Sequence, residues 1–123
     1  MRIAVVSSDG ERIGGHLGRA GTISVLDVDE NGETTAAGAR PGLDGEGHDT
    51  DALSRFLSGV SDCSFVLAGN IGPRVQRALA ARNISAIELT ERISDTARRL
   101  AAYERRRRKR AEPQDGSKNG GTL

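Results

Sequence analysis

Two glycine-rich segments hold most of the side chains that could do chemistry in this chain. The first is Gly14-Gly15-His16-Leu17-Gly18-Arg19-Ala20. Glycines on both sides let the backbone approach a bulky ligand, a neutral imidazole at His16 suits a metal or a cluster, and the planar guanidinium of Arg19 matches carboxylate or phosphate oxygens. The set suits a large anionic ligand. The same residues also fit a loop whose glycines serve geometry and whose His16 and Arg19 are merely solvated, and the segment alone leaves both readings open. The second is Ala68-Gly69-Asn70-Ile71-Gly72-Pro73-Arg74, a strand-to-helix turn. Backbone N–H groups at a helix start, unobstructed by side chains, attract anions, and Arg74 stands beside them. The Gly-Lys-Ser/Thr ending of a P-loop is missing, and tight turns of this kind also use glycine for geometry alone.

His48 and Cys63 are the other candidate ligands. With His16 they could hold iron or an iron–sulfur cluster, but their wide separation matches no local ligand spacing. Cys63, at the start of an apolar run, equally suits a small buried hydrophobe, and His48 a solvated neighbour of a helix cap. A single cysteine also excludes a disulfide within the chain.

The elements that must position these residues follow from the apolar pattern. Arg2 to Ser7 has no polar alternation, as in a strand buried on both faces, and residues 8–21 form a long glycine-rich loop. Thr22 to Val28 and Glu33 to Ala39 read as a strand pair turned at Glu30-Asn31-Gly32, and residues 40–48 as a second irregular loop. A helix is expected over about 50–59, capped by Asp49 or Thr50, with Leu53, Phe56, Leu57 and Val60 at helical spacing. Cys63 to Ala68 reads as a buried strand. Pro73 opens a helix with Val75, Ala78 and Leu79 inward that closes at Asn83. Ile84 to Leu89 forms a last strand. Ser94 or Asp95 begins a final helix with Ala97, Leu100, Ala101 and Tyr103 inward. The order β-β-β-α-β-α-β-α predicts an α/β fold with a mixed five-stranded sheet flanked by helices. Residues beyond about Arg110 lack apolar periodicity and are expected to be disordered.

With 123 residues, one core is expected: residues 1–104 as one domain, and 105–123 as a basic helix end and tail. The net charge of +1 conceals a segregation. Residues 1–97 carry nine Lys and Arg against fourteen Asp and Glu, whereas residues 98–110 carry eight against one. The run Arg105-Arg106-Arg107-Arg108-Lys109-Arg110 could meet phosphates or an acidic partner, or be a solvated helix end. Six consecutive cations wrap around a helix instead of forming one face, and only Phe56, Phe65 and Tyr103 are aromatic, so stacking platforms are scarce and nucleic acid is a disfavoured partner. The apolar run at the N-terminus is too short for a signal peptide or a membrane span, which makes the cytoplasm the expected location and membrane association unexpected.

The opening Met-Arg-Ile-Ala-Val-Val-Ser-Ser-Asp-Gly, the His16-Leu17-Gly18-Arg19-Ala20 segment, and Asp62-Cys63 leading to Gly69-Asn70-Ile71-Gly72-Pro73-Arg74 together resemble the dinitrogenase iron-molybdenum cofactor-binding family over about residues 1–100. Leu17 stands where the family pattern has an aromatic residue, and Asn70 where it has a glycine. The resemblance implies a ribonuclease H-like architecture. It also implies binding or carriage of an iron–sulfur or iron-molybdenum type cluster or its precursor, with a cofactor-assembly or acceptor protein as partner. Carried over by position, His16, Gly18 and Arg19 would form the ligand-facing loop, Gly69, Asn70 and Gly72 the opposite wall, and Cys63 a sulfur ligand.

The resemblance implies no catalysis. A nuclease would need clustered carboxylates for two divalent ions, and Ile3-Ala4-Val5-Val6 supplies none. An enzyme for a phosphorylated substrate would rest only on Gly69, Gly72 and Arg74, with no nucleophile and base beside them. The competing non-enzymatic reading is an interaction module that acts through the basic last helix.

Overall fold

Ile3 and Val5 point to one side of strand β1 (Arg2–Val5) and Ala4 to the other, and all three are buried. Such a strand needs cover on both faces, and β1 accordingly lies in the middle of the sheet. The computed structural model describes residues 1–44 and 49–111. In chain order the elements are β1, β2 (Arg19–Val28), β3 (Thr34–Asp44), α1 (Thr50–Gly59), β4 (Phe65–Ala68), α2 (Pro73–Ala80), β5 (Ser85–Glu88) and α3 (Ile93–Ala111). The five strands are ordered β3-β2-β1-β4-β5. The β3/β2 and β2/β1 pairs are antiparallel, whereas β1/β4 and β4/β5 are parallel. The expected mixed sheet and element order are therefore present.

Alternation along the strands divides the core into two layers. Ala4, Val25, Val66 and Ala68 pack with Phe56 and Leu57 of α1 and Val75 and Leu79 of α2. Ile3, Val5, Phe65 and Leu67 pack with Ile93, Ala97, Leu100 and Ala101 of α3. The α1 cap is Asp49, whose Oδ1 accepts the backbone N–H groups of Asp51 and Ala52.

The strand pair β2/β3 is longer than its composition suggests. Residues 40–44, expected in a loop, pair with 19–23, of which 19–21 were also expected in a loop, so that Arg19 faces Asp44 and Ala20 faces Leu43. Fully buried Leu43 rewards the extension, and Gly42 permits it, because a Cβ there would collide with the Ala20 carbonyl. β3 is an edge strand, where Pro41 is tolerated. Ser24 pairs with Ala39 but Leu26 with Ala36, so Ala37 and Gly38 together oppose Val25 in a bulge, with Gly38 at φ +107°. Tyr103, expected inward, is 44% exposed. The last helix starts at Ile93, and the tail beyond residue 111 lies outside the described residues.

An ion-pair cluster ties the sheet together near the start of β1. Arg2 donates to both carboxylate oxygens of Asp27 and to Asp62, and Arg40 donates to Asp62 and to the Gly59 carbonyl. It joins β1, β2, β3 and the loop before β4.

Candidate functional site

After β1 the chain leaves toward β2 on one side, while after β4 it leads through α2 to β5 on the other. Connections that diverge at the carboxyl ends of neighbouring parallel strands open a crevice, the habitual ligand position in open α/β sheets. The two glycine-rich segments are the two connections.

The long loop after β1 is pegged at two points. Ile13 is buried in the layer beneath α3, and Leu17 is 0% exposed in the layer beneath α1 and α2. Backbone bonds Ile13 N–H to Glu91 O (2.9 Å) and Ile93 N–H to Glu11 O (2.8 Å) hold the first peg. An aromatic residue is thus not required at 17, where the side chain serves packing. Between the pegs, Gly15 takes φ +97° and turns its carbonyl toward the second connection. The N–H groups of Gly69 and Asn70 donate to Gly15 O at 2.9 and 3.1 Å, and Leu17 N–H donates to Asn70 O at 2.9 Å. Loop and turn, more than fifty residues apart in sequence, form one backbone-stitched unit. A Cβ on Gly69 would lie 2.9 Å from Gly15 N and 3.0 Å from Gly15 O, so the stitch requires glycine there. Asn70 needs no positive φ, and its exposed side chain fits where a glycine was the pattern.

His16, Asn70, Ile71, Gly72, Pro73, Arg74 and Val75 line an open cleft of about 390 Å³ over this stitch. The His16 Nδ1 accepts the Gly18 N–H at 3.0 Å, which fixes the ring against its own loop. Glu88, the last residue of β5, adds a carboxylate. Its Oε2 accepts the N–H groups of Ile71 (2.7 Å) and Gly72 (3.3 Å), and these bonds, with smaller help from the Gln76 side chain and His16, hold its carboxyl below the usual range. The backbone N–H groups of this turn, expected to be open to an outside anion, already hold an internal one.

The structure brings His16, Gly69, Asn70 and Gly72 together. Gly18 is buried behind them, and Arg19 begins β2, exposed and off the cleft lining. Cys63 precedes β4, whereas Gly69 follows it. Five residues, four of them strand β4, separate them by roughly 20 Å, which puts the thiol out of reach of His16. Cys63 is 5% exposed, and burial, reinforced by the Asp62 carboxylate, pushes its thiol up to about 11. His48 lies outside the described residues. Among the described residues no three His, Cys, Asp or Glu side chains cluster so as to hold a metal ion. Glu88 was not singled out in the sequence, because nothing local marks it within Ser85-Ala86-Ile87-Glu88. Only the parallel register, which sets Glu88 opposite Ala68, carries it to the turn.

The family model described as dinitrogenase iron-molybdenum cofactor matches residues 1–103. Curated proteins give no match. A solved structure described as "Crystal structure of PH0822" is similar in fold, with a TM-score of 0.60 and 21% identity, over 84% of this chain and 92% of that one.

Proposed function

This chain belongs to the dinitrogenase iron-molybdenum cofactor family, and from that membership we propose that it binds an iron–sulfur or iron-molybdenum type cluster, or a precursor, as cargo in the cleft above the loop-to-turn stitch. The observation that supports this reading is the stitch itself. Three backbone hydrogen bonds hold a histidine-bearing glycine loop against a glycine-rich helix start at the carboxyl ends of β1 and β4. Glycines remove the side chains that would keep a bulky cluster away from the backbone, while His16 and Arg74 supply polar contacts at the rim.

On this reading the protein is a cytoplasmic carrier and not an enzyme, and its partner is the protein that assembles or accepts the cluster. Anaerobic incubation with isolated iron-molybdenum cofactor is expected to give a coloured, stoichiometric complex on gel filtration that weakens in His16→Ala. Protein that elutes colourless would contradict the reading.

A second reading draws on the exposed cations of Arg105–Arg110, which lie beyond the packed part of α3. It makes the helix end a contact for an acidic protein or nucleic acid. Deletion of residues 105–123 would then abolish partner capture and leave cluster binding intact. Unchanged capture would remove the second reading.

A further inference from the structure

The two edges of the sheet are guarded differently. At one end β3 carries Pro41 and the bulge at Ala37 and Gly38, features that discourage a further strand. At the other end β5 is short but has neither proline nor bulge, and Ser85 to Glu88 pair with Phe65 to Ala68 in unbroken register. Ser85 N–H donates to Ser64 O and Leu89 N–H to Ala68 O, so in this parallel ladder residues 85, 87 and 89 turn their backbone groups toward β4. The N–H and C=O groups of Ala86 and Glu88 therefore point away from β4, where an added strand would bond.

Recesses lie on both sides of this edge. On the α3 side, Phe65, Ile87, Leu89 and Leu100 form a groove of about 550 Å³ with Tyr103 and Arg106 at its rim. Tyr103 is the one exposed large hydrophobic side chain among the described residues. Arg99 nearby is paired with Glu91, whereas Arg106 meets no carboxylate among the described residues. On the α2 side, Gln76, Ala80 and Asn83 border a second recess against Ala86.

Charge indicates what fits there. The span 73–87 contains Arg74, Arg77 and Arg82, all exposed, and no Asp or Glu. The acid of the strand itself, Glu88, is drawn into the neighbouring turn by the N–H groups of Ile71 and Gly72. An otherwise acidic body is thus cationic around β5.

We propose that the β5 edge is the docking strand for an extended, acidic segment of a partner protein, which joins the sheet as a sixth strand. Successive side chains of such a segment fall on opposite faces. Apolar ones enter the α3 groove beside Tyr103, and carboxylates on the other face meet the cationic α2 side. A second copy of this chain is a poorer occupant, because pairing β5 with itself sets two cationic surrounds together. The inference does not use the cargo reading, and it draws on the basic run only through Arg106.

The probe is a short synthetic peptide of alternating valine and glutamate with blocked ends, titrated into nitrogen-15-labelled full-length protein beside its valine–lysine counterpart. The glutamate peptide is expected to shift the amide signals of Ala86, Glu88 and Tyr103 and to slow hydrogen exchange at Ala86 and Glu88, and the lysine peptide to do neither. Ala86→Pro removes an outward N–H where an edge strand tolerates proline, and is expected to weaken binding about tenfold, the scale of a lost hydrogen bond. Arg106→Glu is expected to weaken it about threefold, the scale of an exposed ion pair, and it carries the test should Ala86→Pro fail to fold.

No shift at Ala86 with excess glutamate peptide, equal binding of the lysine peptide, or full affinity in the folded variants would overturn the proposal. Concentration-dependent shifts of the β5 amides without peptide would overturn it in favour of a second copy. None of these readouts involves the cofactor, so their failure leaves the cargo reading standing.

Discussion

Gly69 has no room for a side chain, because the backbone of Gly15 occupies the space where a Cβ would point. Gly69→Ala is therefore expected to push loop and turn apart, with a loss of about 1–3 kcal/mol in urea unfolding, the usual cost of forcing extra atoms into packed structure. Unchanged stability would show that the stitch is looser than described. Cys63 is governed by its surroundings instead. Its thiol is raised to about 11 and is nearly inaccessible, so at pH 7–8 native protein should react with iodoacetamide far more slowly than protein in urea. Equal rates would contradict its placement. Gly69 and His16 were legible as candidates, as residue types in glycine-rich context. Glu88 was not, because its significance comes from the register of β5 on β4 and not from its neighbours in sequence.

At the scale of elements, strands and helices followed from apolar periodicity wherever two-sided or one-sided burial wrote a clear pattern, as in β1, α1 and α2. The pattern failed at 40–44, where proline and glycine read as a loop. There the pairing with β2, the buried Leu43 and the clearance given by Gly42 outweigh local propensity. Tyr103 was misplaced because helical spacing alone does not say where the sheet beneath α3 ends. The cluster of Arg2, Asp27, Arg40 and Asp62 joins elements remote in sequence and was equally hidden. Hydrogen bonds from Arg40 and then Arg2 hold the Asp62 carboxyl well below the usual range, and Arg2 lowers Asp27 in the same way. A carboxylate that ionises more readily in the folded state contributes stability that is complete above the unfolded value near 4 and is lost as pH falls toward the lower, folded value. Unfolding midpoints should therefore decline below about pH 4, and Asp62→Asn should lower stability at pH 7 while flattening that decline. An identical acid profile in the variant would exclude the cluster as its source.

Across the whole molecule, charge and site are segregated. The packed body bears the excess of carboxylates, while α3 carries six consecutive cations, Arg105 to Arg110, beyond Ala101, the last residue of the helix in the core. The cleft lies at the carboxyl ends of β1 and β4, and Cys63 and the ion-pair cluster lie at their opposite ends, so cargo contact and structural clamping are separated by the length of a strand. No helix among the described residues is long and apolar enough to cross a membrane. The central claim is that the unit stitched from the His16 loop and the Gly69 turn is the cargo site. Its most direct test is iron content after anaerobic gel filtration with isolated iron-molybdenum cofactor, compared across the unsubstituted protein, His16→Ala and Cys63→Ala. Stoichiometric iron in the unsubstituted protein and in Cys63→Ala, with loss in His16→Ala, is the predicted result. Absence of iron from the unsubstituted protein, or loss in Cys63→Ala with retention in His16→Ala, would contradict it.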